Sequence, residues 1–365
     1  MNQPLRVGLV GANAQGPGWA RISHVPALQH LPGFALAAVC TTREDSAAAA
    51  ARAFGVPRWF HDVDAMCRDP GIDIVSIAVK VPSHHDIARS ALQAGRHVYC
   101  EWPLGANLQE AEAMAKLARR QDVKAIVGLQ ARSDPVLRYL RDLVVEGYVG
   151  EVVSVHMSML TGGVLERPSS RLWDRDRRKG VSALTVRAIH TLDVLCYALG
   201  ELNEVSAKVS TQVKQWRVVD TGQNVDVDAA DSVAVNGRLE GGALLSAFIA
   251  TVPFNGSGFR MEIFGREGTL RVSSPGAPQR DVNELFGAKG GAALALLPVP
   301  ARYTEVPADV PVGPPRNVGH LYLRLGKAIR DNVAVDPDFD VAVRRHRLID
   351  AIQQSSDEGR TVRIT

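Results

Sequence analysis

The stretch Leu5–Trp19, LRVGLVGANAQGPGW, decides the fold. Leu5–Val10 is a nearly continuous apolar run, as in a strand buried on both faces. It runs into Gly11-Ala12-Asn13-Ala14-Gln15-Gly16-Pro17-Gly18, and a helical stretch follows through Leu31. The alternation then repeats. Phe34–Thr41 precedes an alanine-rich helix, Ser46–Phe54, and Ile72–Val79 precedes Asp86–Ala94. His97–Glu101 precedes Leu108–Arg120, and Ala125–Leu129 closes the set. Apolar strands alternating with helices predict a parallel sheet covered on both faces. Capping patterns mark the helix starts: Ser83 with Asp86, Asn107 with Glu110, and Asp134 followed by Pro135.

After Gly150 the texture changes. Glu151–Leu160, Glu204–Val213, Ser232–Leu239, Ala243–Thr251, Phe259–Phe264 and Thr269–Val272 read as strands joined by turns. Helices are expected at Ser182–Leu199, His320–Asn332 and Asp340–Asp357, and the Gly- and Pro-rich Ser274–Pro315 as a long surface excursion. The expected architecture is an α/β Rossmann domain with a parallel sheet, residues 1–130. An α+β domain with a large, mostly antiparallel open sheet follows, residues 131–365, its C-terminal helix free to pack back on the first.

The chain has 365 residues, 46% apolar and 22% charged, which excludes wholesale disorder. A net charge of +3 is weak, and no nucleic-acid reader is visible, so no nucleic-acid partner is expected. The longest apolar candidate, Gly241–Phe254, is too short to cross a membrane, and the start carries no secretory signal. Cys40, Cys67, Cys100 and Cys196 stand far apart, reading as buried thiols in a cytoplasmic protein without a metal site.

A strand, a glycine-rich turn and a helix N-terminus make an anion site, so this loop reads as a dinucleotide diphosphate cradle. Gly11 makes the tight turn, Asn13 stands at the second glycine position, and Gly16 fits the third, with Gly18 as a substitute. The second strand ends at Thr41-Thr42-Arg43, where a ribose-binding acid is expected for NAD. Arg43 and the two hydroxyls suit a 2′-phosphate instead, which favours NADP over NAD.

Gly11–Leu28, Ile72–Ala111, Gly128–Gly150, Gly180–Gly200 and Asp340–Arg363 together resemble the glucose–fructose oxidoreductase/inositol dehydrogenase (Gfo/Idh/MocA) family. The resemblance implies an NAD(P)-dependent oxidoreductase acting on a sugar, cyclic polyol or related carbonyl compound. It also implies a homodimer or homotetramer built through the second-domain sheet. The family carries a Glu-Lys-Pro motif and an Asp-x-x-x-His motif; here they stand as Glu101-Trp102-Pro103 and Val186-Arg187-Ala188-Ile189-His190. Trp102 replaces the lysine and Val186 the aspartate. In this the chain is most similar to the galactose-regulon repressor-like branch, which binds a dinucleotide and works as a regulator. A catalytically silent NAD(P)-binding regulator is therefore the alternative.

His190 is the candidate acid/base, or a core histidine. Lys80, ending a strand, either replaces the missing amine or snorkels to solvent. Lys80 stands where coenzyme-proximal loops of a parallel sheet emerge, and the resemblance places His84, Glu101, Trp102 and Pro103 toward the coenzyme. Trp102 offers a stacking face or a plug, and Trp102–Pro103 is a candidate cis bond. Trp102, Trp173, Arg187, His190 and Asp193 are the candidate substrate residues, with Arg167 and Lys179 nearby. Their cationic groups suit a carboxylate, phosphate or polyhydroxylated ligand.

Overall fold

The computed structural model describes residues 3–16 and 18–364. Met1, Asn2 and Thr365, the ends of the expected domains, and Pro17 of the glycine loop lie outside the described residues. The chain divides into two compact units. One holds the residues up to Gln130 together with Glu305–Arg344, and the other Ala131–Thr304 together with those from Arg345 onward. The division differs from the expected second domain, 131–365: the segment 305–344 clusters with the first unit, whereas most of the C-terminal helix, Phe339–Glu358, clusters with the second.

The first unit is built on a six-stranded parallel sheet. Its strands are β1 (Leu5–Val10), β2 (Phe34–Cys40), β3 (Arg58–Phe60), β4 (Ile74–Ile77), β5 (His97–Glu101) and β6 (Ala125–Gly128), in the order β3-β2-β1-β4-β5-β6. The helices between them are α1 (Val25–His30), α2 (Glu44–Phe54), α3 (Val63–Arg68), α4 (His84–Gln93) and α5 (Leu108–Arg120). In α2 the small side chains of Ala47, Ala50 and Ala51 are the buried face, which allows close approach to the sheet. It ends at Gly55 in the left-handed region. The sequence reading missed β3 and α3. Three residues are too few to show alternation, and α3 starts at Asp62, whose carboxylate accepts from Asp64 N at 2.8 Å.

The later segment belongs here because of its apolar face. Helix Pro314–Asp331 sends Val318, Leu321, Tyr322 and Leu325 into the buried cluster of Val7, Ile74, Tyr99 and Ile126. Each such aliphatic chain contributes about 1.5–3 kcal/mol when fully buried.

The second unit carries a nine-stranded sheet. Across it the strands run Ala295–Leu296, Glu284–Lys289, Gly268–Ser274, Gly258–Gly265, Val152–Thr161, Leu244–Thr251, Ser232–Leu239, Leu202–Ser210 and Val362–Arg363. All neighbours are antiparallel except Val152–Thr161 with Leu244–Thr251. Alternation is clean: Val155, Met157 and Met159 are buried, while His156 is exposed. The expected excursion Ser274–Pro315 is not one loop. Glu284–Lys289 pairs with Gly268–Ser274, and Leu285, Val306 and Val310 are buried. A single glycine within the strand, Gly287, dilutes its period.

Arg177–Leu199 is, by length and composition, long and apolar enough to cross a bilayer, which the sequence reading did not expect. Its apolar window is 67% buried inside the protein, the pattern of a core helix. All four cysteines are buried and free.

Candidate functional site

In the first unit, β1 delivers the chain into the glycine loop. Gly11 takes φ +95°, and its N–H donates to Cys40 O at 2.9 Å. A Cβ there would fall 2.4 Å from Ala78 O, so only glycine fits between β1 and the end of β4. Gly16 takes φ +82°. Among the described residues nothing lies within 4 Å of a Cβ built on Gly16 or Gly18, both of which are exposed. Asn13 Oδ1 accepts from Gln15 N at 3.2 Å, bracing the loop from within. Gly18 O accepts from Arg21 N and Ile22 N, and a π-helical turn, Ala20–His24, leads into α1. The described part of the loop therefore fits a dinucleotide.

At the end of β2, Thr41 Oγ1 lies 2.6 Å from Ser46 Oγ and donates to Arg43 O, while Thr42 is exposed. Arg43 is exposed and pairs with Asp45 at 3.1 Å. Lys80 is exposed and opens the 3-10 turn Val81–Ser83. The expected Ser83 cap is not made, since no side-chain bond forms there. Asn107, in contrast, accepts from Glu110 N at 2.9 Å, and Asp134 caps Val136 N at 2.9 Å.

His84, expected at the coenzyme, is held by the backbone around it. It is buried, with Nδ1 2.8 Å from Pro103 O and Nε2 3.1 Å from Val79 O. Burial lowers its pKa. Both ring nitrogens face backbone carbonyls, so His84 positions the ends of two loops and presents no nitrogen of its own. Trp102–Pro103 is cis, as the sequence suggested, and Trp102 is buried.

Glu101 is the centre of a buried network that the sequence reading did not contain. His24 Nε2 lies 2.8 Å from Glu101 Oε1, and Gln130 Nε2 donates to Glu101 Oε2 at 2.6 Å. Tyr322 OH lies 2.8 Å from both His24 Nδ1 and Ser76 Oγ. With Glu101 as the acceptor, the His24 tautomer that carries its proton on Nε2 satisfies the contact. A consistent chain follows, with Ser76 donating to Tyr322, Tyr322 to His24, and His24 to Glu101. Gly128 makes room for it, because a Cβ there would stand 2.6 Å from Glu101 Oε2.

In the second unit, Ser182 and Thr185 form a capping box that opens a π-helical turn, Ala183–Ala188, continuous with helix Ile189–Leu199. This turn carries Val186 and Arg187, and His190 follows, buried. Asp193 was expected at the substrate. It is instead locked in place: Arg132 Nε and Nη2 donate to it at 2.8 and 2.7 Å, and Arg345 Nε lies 2.9 Å away. Burial pushes its carboxyl up, but Arg132 and Arg345 overcome this and hold it below the usual range. Arg345 also pairs with Glu201, so Asp193 belongs to a structural ion cluster.

A cavity of about 480 Å³ lies in this unit, walled by Val186, Arg187, Arg167, Arg171 and Asp174 among others. Trp173 is half-buried on the same 3-10 segment as Arg171 and Asp174, but neither it nor His190 is on that wall. Lys179 is exposed. Among the described residues no group of three or more His, Cys, Asp or Glu is placed to hold a metal.

Comparison with known proteins agrees with these features. Residues 5–129 match the oxidoreductase family with an NAD-binding Rossmann fold, and residues 135–274 match the Gal80p C-terminal domain. The dehydrogenase aclE of Aspergillus oryzae is 28% identical over 75% of this chain and 78% of its own. The galactose/lactose metabolism regulatory protein GAL80 of Saccharomyces cerevisiae is 27% identical over 66% of this chain and 59% of its own. A solved levoglucosan dehydrogenase in complex with NADH and L-sorbose superposes with a TM-score of 0.87, at 25% identity and full coverage of both chains. Residues 5–129 therefore carry the NAD-binding Rossmann domain of the glucose–fructose oxidoreductase/inositol dehydrogenase (Gfo/Idh/MocA) oxidoreductase family, and the sequence after them matches a Gal80p-type C-terminal domain.

Proposed function

We propose that this protein is an NAD(P)-dependent oxidoreductase acting on a CH–OH or C=O group of a sugar, cyclic polyol or related carbonyl compound. The observation that carries this reading is the glycine loop at the end of β1, with Gly11 pressed against Ala78 and, among the described residues, nothing within 4 Å of a Cβ on Gly16 or Gly18. The kinship with levoglucosan and myo-inositol dehydrogenases supports the substrate class. The nicotinamide coenzyme supplies hydride exchange when bound. The protein's own part is to hold the diphosphate on main-chain amides and to move a proton, with His190 or Lys80 as carrier. Arg43, Thr41 and Thr42 favour NADP over NAD, and Asp45 beside Arg43 keeps that preference modest.

A second reading has its own support. Residues 135–274 match the Gal80p C-terminal domain, and Trp102 and Val186 stand where the resemblance implies a lysine and an aspartate. On this reading the protein binds the coenzyme without turnover and signals to a protein partner. A homodimer or homotetramer through the nine-stranded sheet is also proposed, because Leu244 and Phe248 are exposed on its open face; light scattering reads it directly.

Coenzyme fluorescence with NADH and NADPH, followed by absorbance of the reduced nicotinamide against sugars, ketones and imines, tests the main reading. Turnover supports the enzyme, and binding without turnover across the panel supports the regulator. Loss of turnover in His190→Ala with retention in Lys80→Ala assigns the proton to His190, and the reverse assigns it to Lys80.

A further inference from the structure

The second-unit cavity carries more positive charge than its own carboxylates neutralise. Arg187 is half-buried, and its hydrogen-bond partner is a hydroxyl, Nε donating to Thr161 Oγ1 at 3.3 Å. No carboxylate among the described residues pairs with it. Arg167 lies over the Trp216 ring at 4.7 Å and donates to the carbonyls of Gly163 and Glu166, again with no carboxylate partner among the described residues. The acids on the wall each bond to other groups, although Asp174 also attracts Arg167 and Arg187 at longer range. Asp174 pairs with Arg171 at 2.8 Å. Asp231 accepts from Gln212 N, Val213 N and Ser232 Oγ, and Asp281 from Ala277 N.

We propose that this cavity is the subsite for a polyhydroxylated substrate bearing an oxyanion, a sugar acid or sugar phosphate, whose negative group seats on Arg187 and Arg167. The proposal names the substrate class of the oxidoreductase reading and rests on it for turnover, though not for binding. Burial lowers the Arg187 guanidinium to about 10; Arg167, Arg171 and Arg280 push the same way, and Asp174 offsets them only in part. It stays protonated near neutrality, so the unit holds a desolvated charge that a ligand anion would compensate. The wall also suits hydroxyls. Asp174, 6% exposed, keeps Oδ1 without a donor, and Trp216, equally buried, keeps Nε1 without an acceptor. A volume of about 480 Å³ falls in the range of small-ligand sites.

Calorimetry on the full chain with D-glucuronate, D-glucose 6-phosphate and D-glucose tests this. At least one anion is expected to bind about 10-fold or more tighter than glucose, as an added charge-assisted contact implies. The tighter of the two anions distinguishes carboxylate from phosphate, and the preference should shrink as salt rises. Arg187→Met and Arg167→Met should each reduce the preference, while Arg187→Lys keeps part of it; circular dichroism verifies that the variants fold. Equal binding of glucose, no heat with either anion, or an undiminished preference in folded Arg187→Met overturns the subsite. Turnover of neutral sugars without anion preference removes the subsite and leaves the enzyme. Anion preference without turnover of any sugar does the opposite.

Discussion

Replacing Tyr322 with Phe removes one oxygen and leaves the ring in place. That oxygen lies 2.8 Å from His24 Nδ1 and 2.8 Å from Ser76 Oγ, and all three side chains are fully buried or nearly so. The ring contacts with Tyr99 and Phe34, at 5.0 and 5.7 Å between centroids, survive the change. The loss is therefore almost purely polar. His24 Nδ1 is left without a donor, and the Ser76 hydroxyl loses its acceptor. A buried polar group left unsatisfied costs about 1–3 kcal/mol, so Tyr322→Phe should cost about 2–4 kcal/mol. In a domain of this size that lowers Tm by roughly 5–15 °C, read by calorimetry of the transition that contains the Rossmann unit. Ser76→Ala supplies the internal control. In the parent it should cost about 1 kcal/mol, but in the Tyr322→Phe background it removes an orphaned hydroxyl and should restore stability. Additive losses in the double variant, or a Tyr322→Phe transition within about 1 °C of the parent, would refute the linked network.

The ion cluster in the second unit predicts a larger loss. Asp193→Asn leaves Arg132 and Arg345 buried around a neutral amide and should cost about 3–5 kcal/mol by urea unfolding; a loss under about 1 kcal/mol would show that other groups hold the two arginines. The buried His346 predicts a pH dependence, since burial pushes its imidazole down to about 4. The unfolded chain takes a proton near pH 6.5, so stability is full above that value and declines as pH falls toward 4, by about 3 kcal/mol. His346→Leu should flatten that decline in urea midpoints measured from pH 7 to 4, and an unchanged slope would contradict it. Arg43→Ala should weaken NADPH several-fold more than NADH, and Asp45→Asn should strengthen NADPH by removing the carboxylate 3.1 Å from Arg43; fluorescence titrations with equal changes for both coenzymes would reject the 2′-phosphate assignment.

The glycine loop was legible because its chemistry is local. A strand, a tight glycine and a helix start occupy consecutive residues, and main-chain amides do the work. The Glu101 network was not legible, because its members converge from distant segments: Tyr322 stands 298 residues from His24. Nothing near either residue hints at the other. Asp193 misled for the converse reason. An aspartate one turn beyond His190 looks like a ligand in sequence, yet its partners, Arg132 and Arg345, come from 61 residues before it and from the last helix. His84 gives the same lesson at shorter range, since its two carbonyl partners are visible only once β4 and β5 lie side by side. The strand Glu284–Lys289 was hidden by composition. Its neighbour Gly268–Ser274 supplies the pairing, and the strand's own alternation is diluted by Gly287.

These cases bear on what the polar interior of the Rossmann unit is for. A buried run of Ser76, Tyr322, His24, Glu101 and Gln130 is costlier to build than an apolar core of the same shape, because every donor must find its acceptor. Its physical product is narrow: both oxygens of Glu101 are fixed, Oε1 by His24 and Oε2 by Gln130, and Gly128 clears the space they occupy. Stability alone would be served by leucines. A carboxylate held from both sides at the end of β5, next to Trp102, is instead what orienting a ligand requires. Gln130→Leu separates the two demands. It releases Oε2 while filling the volume with apolar atoms, so coenzyme binding should weaken at least several-fold with only a small change in Tm. A large drop in Tm with unchanged affinity for NADH and NADPH would mean that the network serves the fold alone.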